Sequence, residues 1–120
     1  LALISVWSPT FLLSMLNQLP AWIDRIGRDL CDGQIRFPQS EGSARSAGWK
    51  IKRDSSRANQ LVEWFSRYGG SADFIQRCWP KLALVSCWGD GNSAPYFKQL
   101  EKLFPSVCMQ RKGLLATECV

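Results

Sequence analysis

The sequence predicts an α/β fold that contains a parallel strand-helix-strand unit, and three features of its second half indicate this. Residues 82–88 (LALVSCW) form a continuous apolar run, which is typical of a strand covered on both faces. The GDGN sequence that follows is typical of a tight turn, and residues 93–104 then carry apolar side chains at helical spacing. A second apolar run, residues 107–110, follows Pro105. Two strands joined by a helix are expected to be parallel neighbours with a right-handed crossover. On the helix, one side should carry Tyr96, Phe97, Leu100, Leu103 and Phe104.

The first third of the chain predicts a strand and two helical segments. Residues 1–7 (LALISVW) read as a buried strand. Ser8 offers an N-cap and Pro9 fits the first helical position, so a helix should start there and be interrupted at Pro20. The next segment, AWIDRIGRDL, has apolar residues at helical spacing and should end at Gly33.

The middle of the chain predicts an exposed loop followed by two helices. Residues 39–57 are rich in serine, glycine and charged residues, which is typical of a loop. A helix over residues 56–68 should stop at the following pair of glycines, and a short helix over residues 72–79 should stop at Pro80. The longer helix is expected to bury Leu61, Val62, Phe65 and Tyr68. No internal repeat is evident.

Length and termini suggest a single partial domain over residues 1–120. The chain has 46% hydrophobic residues, which is ample for a core, but it begins with Leu1 inside an apolar run. It ends two residues after Glu118, so we expect an internal segment of a larger domain. No apolar stretch is long enough to span a bilayer, and no signal peptide is recognisable, so no membrane partner is expected. The cysteines number five and none is spaced as C-x-x-C, which favours reduced thiols in a cytoplasmic protein.

The absence of histidine limits the chemistry that this segment can perform. Ser-His-Asp and Cys-His nucleophiles, a histidine general base and a histidine-ligated metal are all excluded within it. Any reaction here must use carboxylates, hydroxyls, backbone dipoles or lysine.

The net charge of +5 is concentrated in the middle of the chain. Two interpretations of this basic stretch are open, a nucleic-acid patch or a solvated loop and helix start. The stretch has one aromatic residue, Trp49, and lacks the glycine-aromatic pattern of an RNA-binding sheet, so we expect no nucleic-acid partner. Its basic residues are Arg45, Lys50, Lys52, Arg53 and Arg57.

Two loops of the predicted strand-helix-strand unit could form a site. Ligands of parallel sheets bind beyond the carboxyl ends of the strands, and residues 89–92 and 112–118 both follow such ends. The G-x-G sequence lacks the third glycine of a dinucleotide fingerprint, and the chain has no G-x-x-x-x-G-K-[ST] loop. Arg111 and Lys112 could face phosphate or could be surface charges. The residues themselves therefore indicate an edge suited to an anionic ligand.

A resemblance to a known family extends this interpretation. Residues 79–118, with SCWGDG and KGLLATE as the specific stretches, resemble the bacterial-type branch of the auxin-responsive Gretchen Hagen family. This family comprises acyl-acid amido synthetases, which are acyl-adenylate-forming enzymes. LALISVWSPTFLLSML extends the resemblance to the start of the chain. It implies an internal fragment of the large N-terminal domain of an adenylate-forming enzyme.

The resemblance implies a two-step ligase reaction that uses ATP and Mg²⁺. A carboxylic acid attacks the α-phosphorus of ATP to give an acyl-adenylate and pyrophosphate, and an amine or amino acid then displaces AMP to form an amide. This chemistry depends on positioning and charge neutralisation, which suits a segment without histidine. The alternative is a non-catalytic α/β module of the same family that binds a nucleotide or a partner.

The resemblance also implies roles for individual residues. Thr117 would donate to an α-phosphate oxygen, and Glu118 would ligate Mg²⁺. Many related enzymes have tyrosine where Leu114 stands, so stacking on adenine is not available from that position. The serine-, threonine- and glycine-rich phosphate loop and the ribose-binding aspartate of the family do not occur in this sequence. The implied nucleotide-binding residues are Gly89, Asp90, Gly91, Gly113, Leu114 and Leu115, and Trp7, Ser8 and Pro9 match a segment near the acyl group.

Overall fold

The computed structural model describes residues 1–35 and 49–112, and the chain divides into two compact units. Unit 1 comprises Leu1–Gln18 together with the chain from Gly70 onward, and unit 2 comprises Leu19–Gly69. Whether both units belong to one partial domain stays a prediction.

Unit 1 is built on a three-stranded parallel sheet. The strand order is β1-β4-β5, and Leu84 pairs with Cys108 while Trp88 pairs with Lys112. Helix α5 joins β4 to β5, so the predicted strand-helix-strand unit and its parallel pairing are confirmed. The elements are β1 (Leu3–Ser5), α1 (Pro9–Asn17), α4 (Ala72–Cys78), β4 (Leu84–Trp88), α5 (Ala94–Leu103) and β5 (Cys108–Lys112).

The core of unit 1 lies around β4 and α5. Three consecutive residues of β4 are buried, Val85, Ser86 and Cys87. Because successive side chains of a strand point to opposite faces, this burial confirms that both faces of β4 are covered. Helix α5 buries Phe97 and Leu100, and Phe104 is buried just after its end.

One residue of the predicted apolar side of α5 departs from the expectation. Tyr96 is 42% exposed, and Leu103 is half-buried. Residues 97, 100 and 104 lie three or four positions apart and form the centre of the buried helical face. Residue 96 is displaced from this centre around the helix axis. Tyr96 is therefore at the margin of the buried stripe, where its hydroxyl can reach water.

The prediction that residues 1–7 form a buried strand was wrong about burial. Strand β1 covers Leu3–Ser5, and Leu1 and Leu3 are exposed to 67% and 49%. Among the described residues β1 pairs with β4 alone and so lies at an edge of the sheet. The edge position explains why these apolar side chains are exposed. The apolar sequence alone does not reveal this position.

Pairing of β1 with β4 reveals a short internal similarity that the sequence analysis missed. LALISVW and LALVSCW are identical at five of seven positions. They pair in parallel without any offset, with Leu3 opposite Leu84 and Ser5 opposite Ser86. Backbone hydrogen bonds extend the pairing at both ends, since Ala83 N donates to Ala2 O at 2.8 Å and Trp88 N donates to Trp7 O at 2.9 Å. We call these two segments the twin strands.

Helix α1 begins as its sequence predicts. The Ser8 side chain accepts a hydrogen bond from Thr10 N at 3.2 Å, and Pro9 occupies the first turn. The helix ends at Asn17, and Pro20 lies in the first turn of the next helix, α2 (Leu19–Asp32). The interruption predicted near Pro20 is confirmed, because proline lacks the N–H that a continuous helix needs.

Unit 2 consists of α2, β2 (Gln34–Ile35), β3 (Trp49–Lys50) and α3 (Ser55–Tyr68), with β2 and β3 paired in antiparallel fashion. The two helices pack closely where their residues are small. A Cβ on Gly27 would lie 3.0 Å from Val62 Cγ2, and Ala58 is 2% exposed. The residues predicted to be buried on α3 (Leu61, Val62, Phe65 and Tyr68) are half-buried instead. The close contact therefore involves the small residues.

The predicted loop over residues 39–57 is only partly a loop. Residues 49 and 50 form β3, and residues 55–57 belong to α3. Two hydrogen bonds support these elements: Ile51 N donates to Gly33 O at 2.9 Å, and the Asp54 carboxylate accepts from Arg57 N at 2.8 Å as the N-cap of α3. Residues 39–48 lie outside the described residues.

Two cations of the basic stretch make contacts within unit 2. Arg53 Nε donates to the carbonyl oxygen of Asp32 at 3.1 Å, at the end of α2. The Arg57 guanidinium lies 5.1 Å from the centre of the Trp64 ring. These contacts favour the solvated-face interpretation of the basic stretch, and the absence of a nucleic-acid partner stays a prediction.

In the part of the chain that the structure describes, no helix combines the length and apolar character needed to cross a membrane.

Candidate functional site

The carboxyl ends of all three parallel strands meet at one edge of the unit 1 sheet. Trp88 ends β4 and pairs with Lys112, which ends β5, and Ser5 ends β1. The 89–91 turn leaves β4 at this edge, and residue 113 follows Lys112. We call this region the carboxyl edge. The 89–91 turn and Lys112, the first residue of the second predicted loop, therefore lie at the same edge.

The two glycines of the 89–91 turn are needed for different reasons. A Cβ on Gly89 would lie 2.7 Å from Arg111 Cγ and 2.9 Å from Phe97 Cδ2, so the backbone can pass here only without a side chain. Gly91 has φ +55° and faces open space, so its requirement is conformational. It begins a 3₁₀ turn, Gly91–Ser93, that leads directly into α5.

Arg111 connects the end of β5 to this turn and to α5. Its Nη1 lies 3.4 Å from Asp90 Oδ1, and its guanidinium carbon lies 5.0 Å from the centre of the Phe97 ring. Phe97 is 1% exposed, so the charged group covers a core aromatic side chain. The side chains of Arg111 and Asp90 are 49% and 64% exposed, which makes this a surface ion pair.

Lys112 makes a separate set of contacts with the end of β1. Its Nζ lies 2.9 Å from Ser5 Oγ and 5.5 Å from the centre of the Trp7 ring. Trp7 in turn packs edge-on against Trp88, with ring centroids 5.6 Å apart and an interplanar angle of 88°. Although it is a large aromatic residue, Trp7 is 73% exposed.

Among the described residues, the carboxyl edge therefore combines two cations, one carboxylate and an aromatic pair in which Trp7 is exposed and Trp88 is half-buried. Arg111 and Lys112 are consecutive strand residues, so their side chains leave on opposite faces of the sheet. Positive charge next to a glycine turn suits an anionic ligand with a planar or apolar part. Sequence reasoning missed Ser5 and Trp88 as members of this cluster. The repeated tryptophan at the end of each twin strand is the signal that could have found Trp88.

Cys87 lies just below this edge but is unsuited to act as a nucleophile. It is fully buried, and burial raises the pKa of its thiol above the ordinary value, an effect that the nearby charge of Lys112 partly offsets. The thiol therefore stays protonated at neutral pH, and the reactive form of cysteine is the thiolate.

The remaining predicted site residues lie outside the described residues. These are Gly113, Leu114, Leu115, Thr117 and Glu118, and their roles stay predictions. Within residues 1–35 and 49–112, no three histidine, cysteine, aspartate or glutamate side chains are grouped so that they could hold a metal ion. Of the residues predicted to bind nucleotide, the structure places Gly89, Asp90 and Gly91 at the carboxyl edge.

A small cleft of unit 1 lies at the other end of the strands. It is lined by residues that precede β4 and β5, including Leu82 and Val107, and by Trp79 and Phe104. Ligands of parallel sheets bind at the carboxyl ends of the strands, so this cleft is not the candidate site.

Comparison with known families identifies the family to which the chain belongs. The family model described as the GH3 family N-terminal domain matches residues 1–109, a range that includes the twin strands, the 89–91 turn and α5. The KGLLATE sequence at residues 112–118 lies beyond that range. Comparisons with curated proteins and with solved structures gave no match. Because the match covers most of the chain, the protein belongs to the GH3 family, the auxin-responsive Gretchen Hagen family of acyl-acid amido synthetases.

Proposed function

We propose that this chain contributes the carboxyl edge of an ATP-dependent acyl-acid amido synthetase, which adenylates a carboxylic acid and transfers the acyl group to an amine or amino acid. The observation that carries the proposal is the family match over residues 1–109. It includes the glycine turn that the structure places at the carboxyl end of β4. This is the position at which α/β sheets bind nucleotides.

The described residues of the carboxyl edge fit a polyphosphate ligand. Arg111 brings a positive charge beside the 89–91 turn, where it faces the carboxylate of Asp90. Lys112 brings a second positive charge to the end of β1, on the other face of the sheet. Gly91 faces open space, so the backbone of the turn can approach a ligand closely at this residue. Positive charge in this position attracts ATP and offsets the charge that develops during phosphoryl-group chemistry.

The segment after Lys112 would supply the remaining groups. In this proposal, Thr117 donates a hydrogen bond to the α-phosphate, and the backbone at residues 113–115 lines the adenine. Glu118 would hold Mg²⁺, a metal that prefers oxygen ligands and would neutralise phosphate charge. Gly89, Asp90 and Gly91 border the adenine and the acyl pocket. A cytoplasmic location is part of the proposal, in line with the reduced cysteines that the sequence predicts.

Pyrophosphate exchange in the full-length protein tests these assignments. Glu118→Gln should lower the adenylation rate and weaken its dependence on Mg²⁺, because it removes a charged metal ligand. Thr117→Val should slow adenylation about 100-fold, the cost of losing one donor to a transition state. The matched control is Glu101→Gln, which removes an exposed carboxylate from α5 and should leave exchange unchanged.

The outcomes separate the enzyme from the non-catalytic module. Wild-type exchange rates in both site variants would overturn the residue assignments. A full-length protein that binds ATP but shows no exchange with any of a broad panel of carboxylic acids would favour the binding module instead.

A further inference from the structure

We propose that Arg111 is a positioning residue of this site. Through Asp90 and Phe97 it holds the 89–91 turn against the end of β5. The turn and the end of β5 therefore keep a fixed separation. This inference rests on the proposed function only for its catalytic consequence, since the contacts themselves belong to the described residues.

Three contacts of one side chain carry the inference. The aliphatic stem of Arg111 passes over Gly89, where a Cβ would lie 2.7 Å from its Cγ and 3.0 Å from its Cδ. Its guanidinium lies over the buried Phe97 ring at 5.0 Å and reaches the Asp90 carboxylate at 3.4 Å. Arg111 thus contacts the first residue of the turn, its second residue and the helix behind it.

The exposure of the Arg111–Asp90 ion pair indicates how much the pair contributes to the stability of the fold. Surface ion pairs add little to the free energy of unfolding, and both partners here are about half exposed or more. Small errors of position, by contrast, cost a great deal in catalysis. The arrangement therefore matters more for the position of the turn than for the stability of the fold.

The same geometry assigns Asp90 a different role from that of a ligand. Its carboxylate faces Arg111, and a carboxylate directed at phosphate would repel it. The backbone of the turn is then the part that approaches a nucleotide, while the Asp90 side chain serves as the anchor point for Arg111.

Hydrogen–deuterium exchange of the full-length protein tests the contact without requiring activity. In Arg111→Gln, peptides that cover residues 89–97 should exchange at least about threefold faster than in the wild type. Lys98→Gln is the matched control, because it removes an exposed cation from the solvent side of α5 and should not change this exchange. Equal exchange in Arg111→Gln and Lys98→Gln would overturn the inference.

Pyrophosphate exchange then distinguishes positioning from direct ligand binding. If Arg111 positions the turn, Arg111→Gln and Asp90→Asn should each raise the KM for ATP about tenfold, and the double variant should be no worse than Arg111→Gln alone. Arg111→Lys should recover part of the loss, since it keeps a cation beside Asp90 and Phe97. If Arg111 instead binds phosphate directly, Asp90→Asn would release it and lower the KM for ATP, which would overturn the inference. A wild-type protein with no exchange activity would refute the proposed function, and the hydrogen–deuterium result would still decide the contact.

Discussion

The twin strands show how one sequence pattern can occupy two environments within the same sheet. LALISVW and LALVSCW share five of seven residues, pair without offset and are each followed by a turn and a helix. In β4, Val85 and Cys87 are 0% exposed, whereas in β1 Leu3 is 49% exposed and Trp7, just beyond it, is 73% exposed. The difference lies in the number of neighbours: β4 has a strand on each side, and β1 has one among the described residues. Burial therefore follows from strand order, which the local sequence does not encode.

Placing a charged residue in each twin strand should give the largest difference in stability between the two strands. Val85→Asp should lower the free energy of unfolding by at least about 4 kcal/mol, because it places an unpaired carboxylate in the core. Ile4→Asp, at the paired position of β1, should cost about half as much, since Ile4 is only half-buried. Urea denaturation of the full-length variants measures both values.

If Val85→Asp does not accumulate as folded protein, alanine substitutions at the same two positions give the same comparison with a smaller loss of stability. Val85→Ala should lose about 2 kcal/mol and Ile4→Ala about 1 kcal/mol. Equal losses at the two positions would show that β1 is as well covered as β4 in the full-length protein.

The two tryptophans that end the twin strands should differ less, but in the same direction. Trp88 is half-buried at the end of the central strand, so Trp88→Ala should cost about 2 kcal/mol. Trp7→Ala should cost less than about 1 kcal/mol, because most of its surface already faces solvent. Thermal melting of both variants provides the measurement. A larger loss for Trp7 would indicate that its ring is covered in the full-length protein.

The residues that follow these tryptophans are not equivalent either. Ser8 caps a helix, and Ser8→Ala should cost about 1 kcal/mol. Gly89→Ala should cost about 2 kcal/mol, because its methyl group would overlap Arg111 and Phe97. In an Arg111→Ala background the cost of Gly89→Ala should fall, since Arg111 Cγ and Cδ are then gone. An unchanged cost in that background would mean that the Phe97 contact alone decides it.

The smallest expected difference between the twin strands is in the pH dependence of stability at Cys87 and at its counterpart Val6. It appears only in alkaline solution. Burial raises the pKa of the Cys87 thiol, so the folded protein keeps it protonated. The protonated thiol therefore contributes to the free energy of unfolding. This contribution is fully present below the ordinary thiol pKa and is lost as the pH rises through the higher folded-state pKa. Cys87→Val, which copies β1, should change stability at neutral pH by less than about 1 kcal/mol and flatten its alkaline decline.

Alkylation provides an independent check on Cys87. The exposed Cys108 should react with iodoacetamide first, and Cys87 only after unfolding, as followed by mass spectrometry. Rapid modification of Cys87 in the folded protein would contradict its placement in the core.

Much of the fold was predictable because its signals are local. The cap at Ser8, the apolar run of β4 and the helical spacing of Phe97, Leu100 and Phe104 each depend on neighbouring residues in the chain. The same holds for the 89–91 turn. Parallel pairing follows from one further rule, the crossover through α5, and this rule also predicts the position of the carboxyl edge.

The contacts that complete the candidate site were not predictable in this way. Ser5, Trp7 and Lys112 come from opposite ends of the chain, and Arg111 meets Asp90 across a helix and two strand ends. Side chains at such separations become neighbours only when strand order and register are set.

The sequence alone determined the identity of the strands and helices of unit 1, the polarity of its sheet and the residue types at its carboxyl edge, because short-range sterics, caps and hydrophobic periodicity act within a few residues. Only the tertiary structure decided which twin strand is buried, why Gly89 must lack a side chain, and which partner each cation of β5 holds. Those outcomes depend on the order and register of strands that are far apart in the chain. Strands β1 and β4 share an almost identical apolar run, although among the described residues one is an edge strand and the other is central.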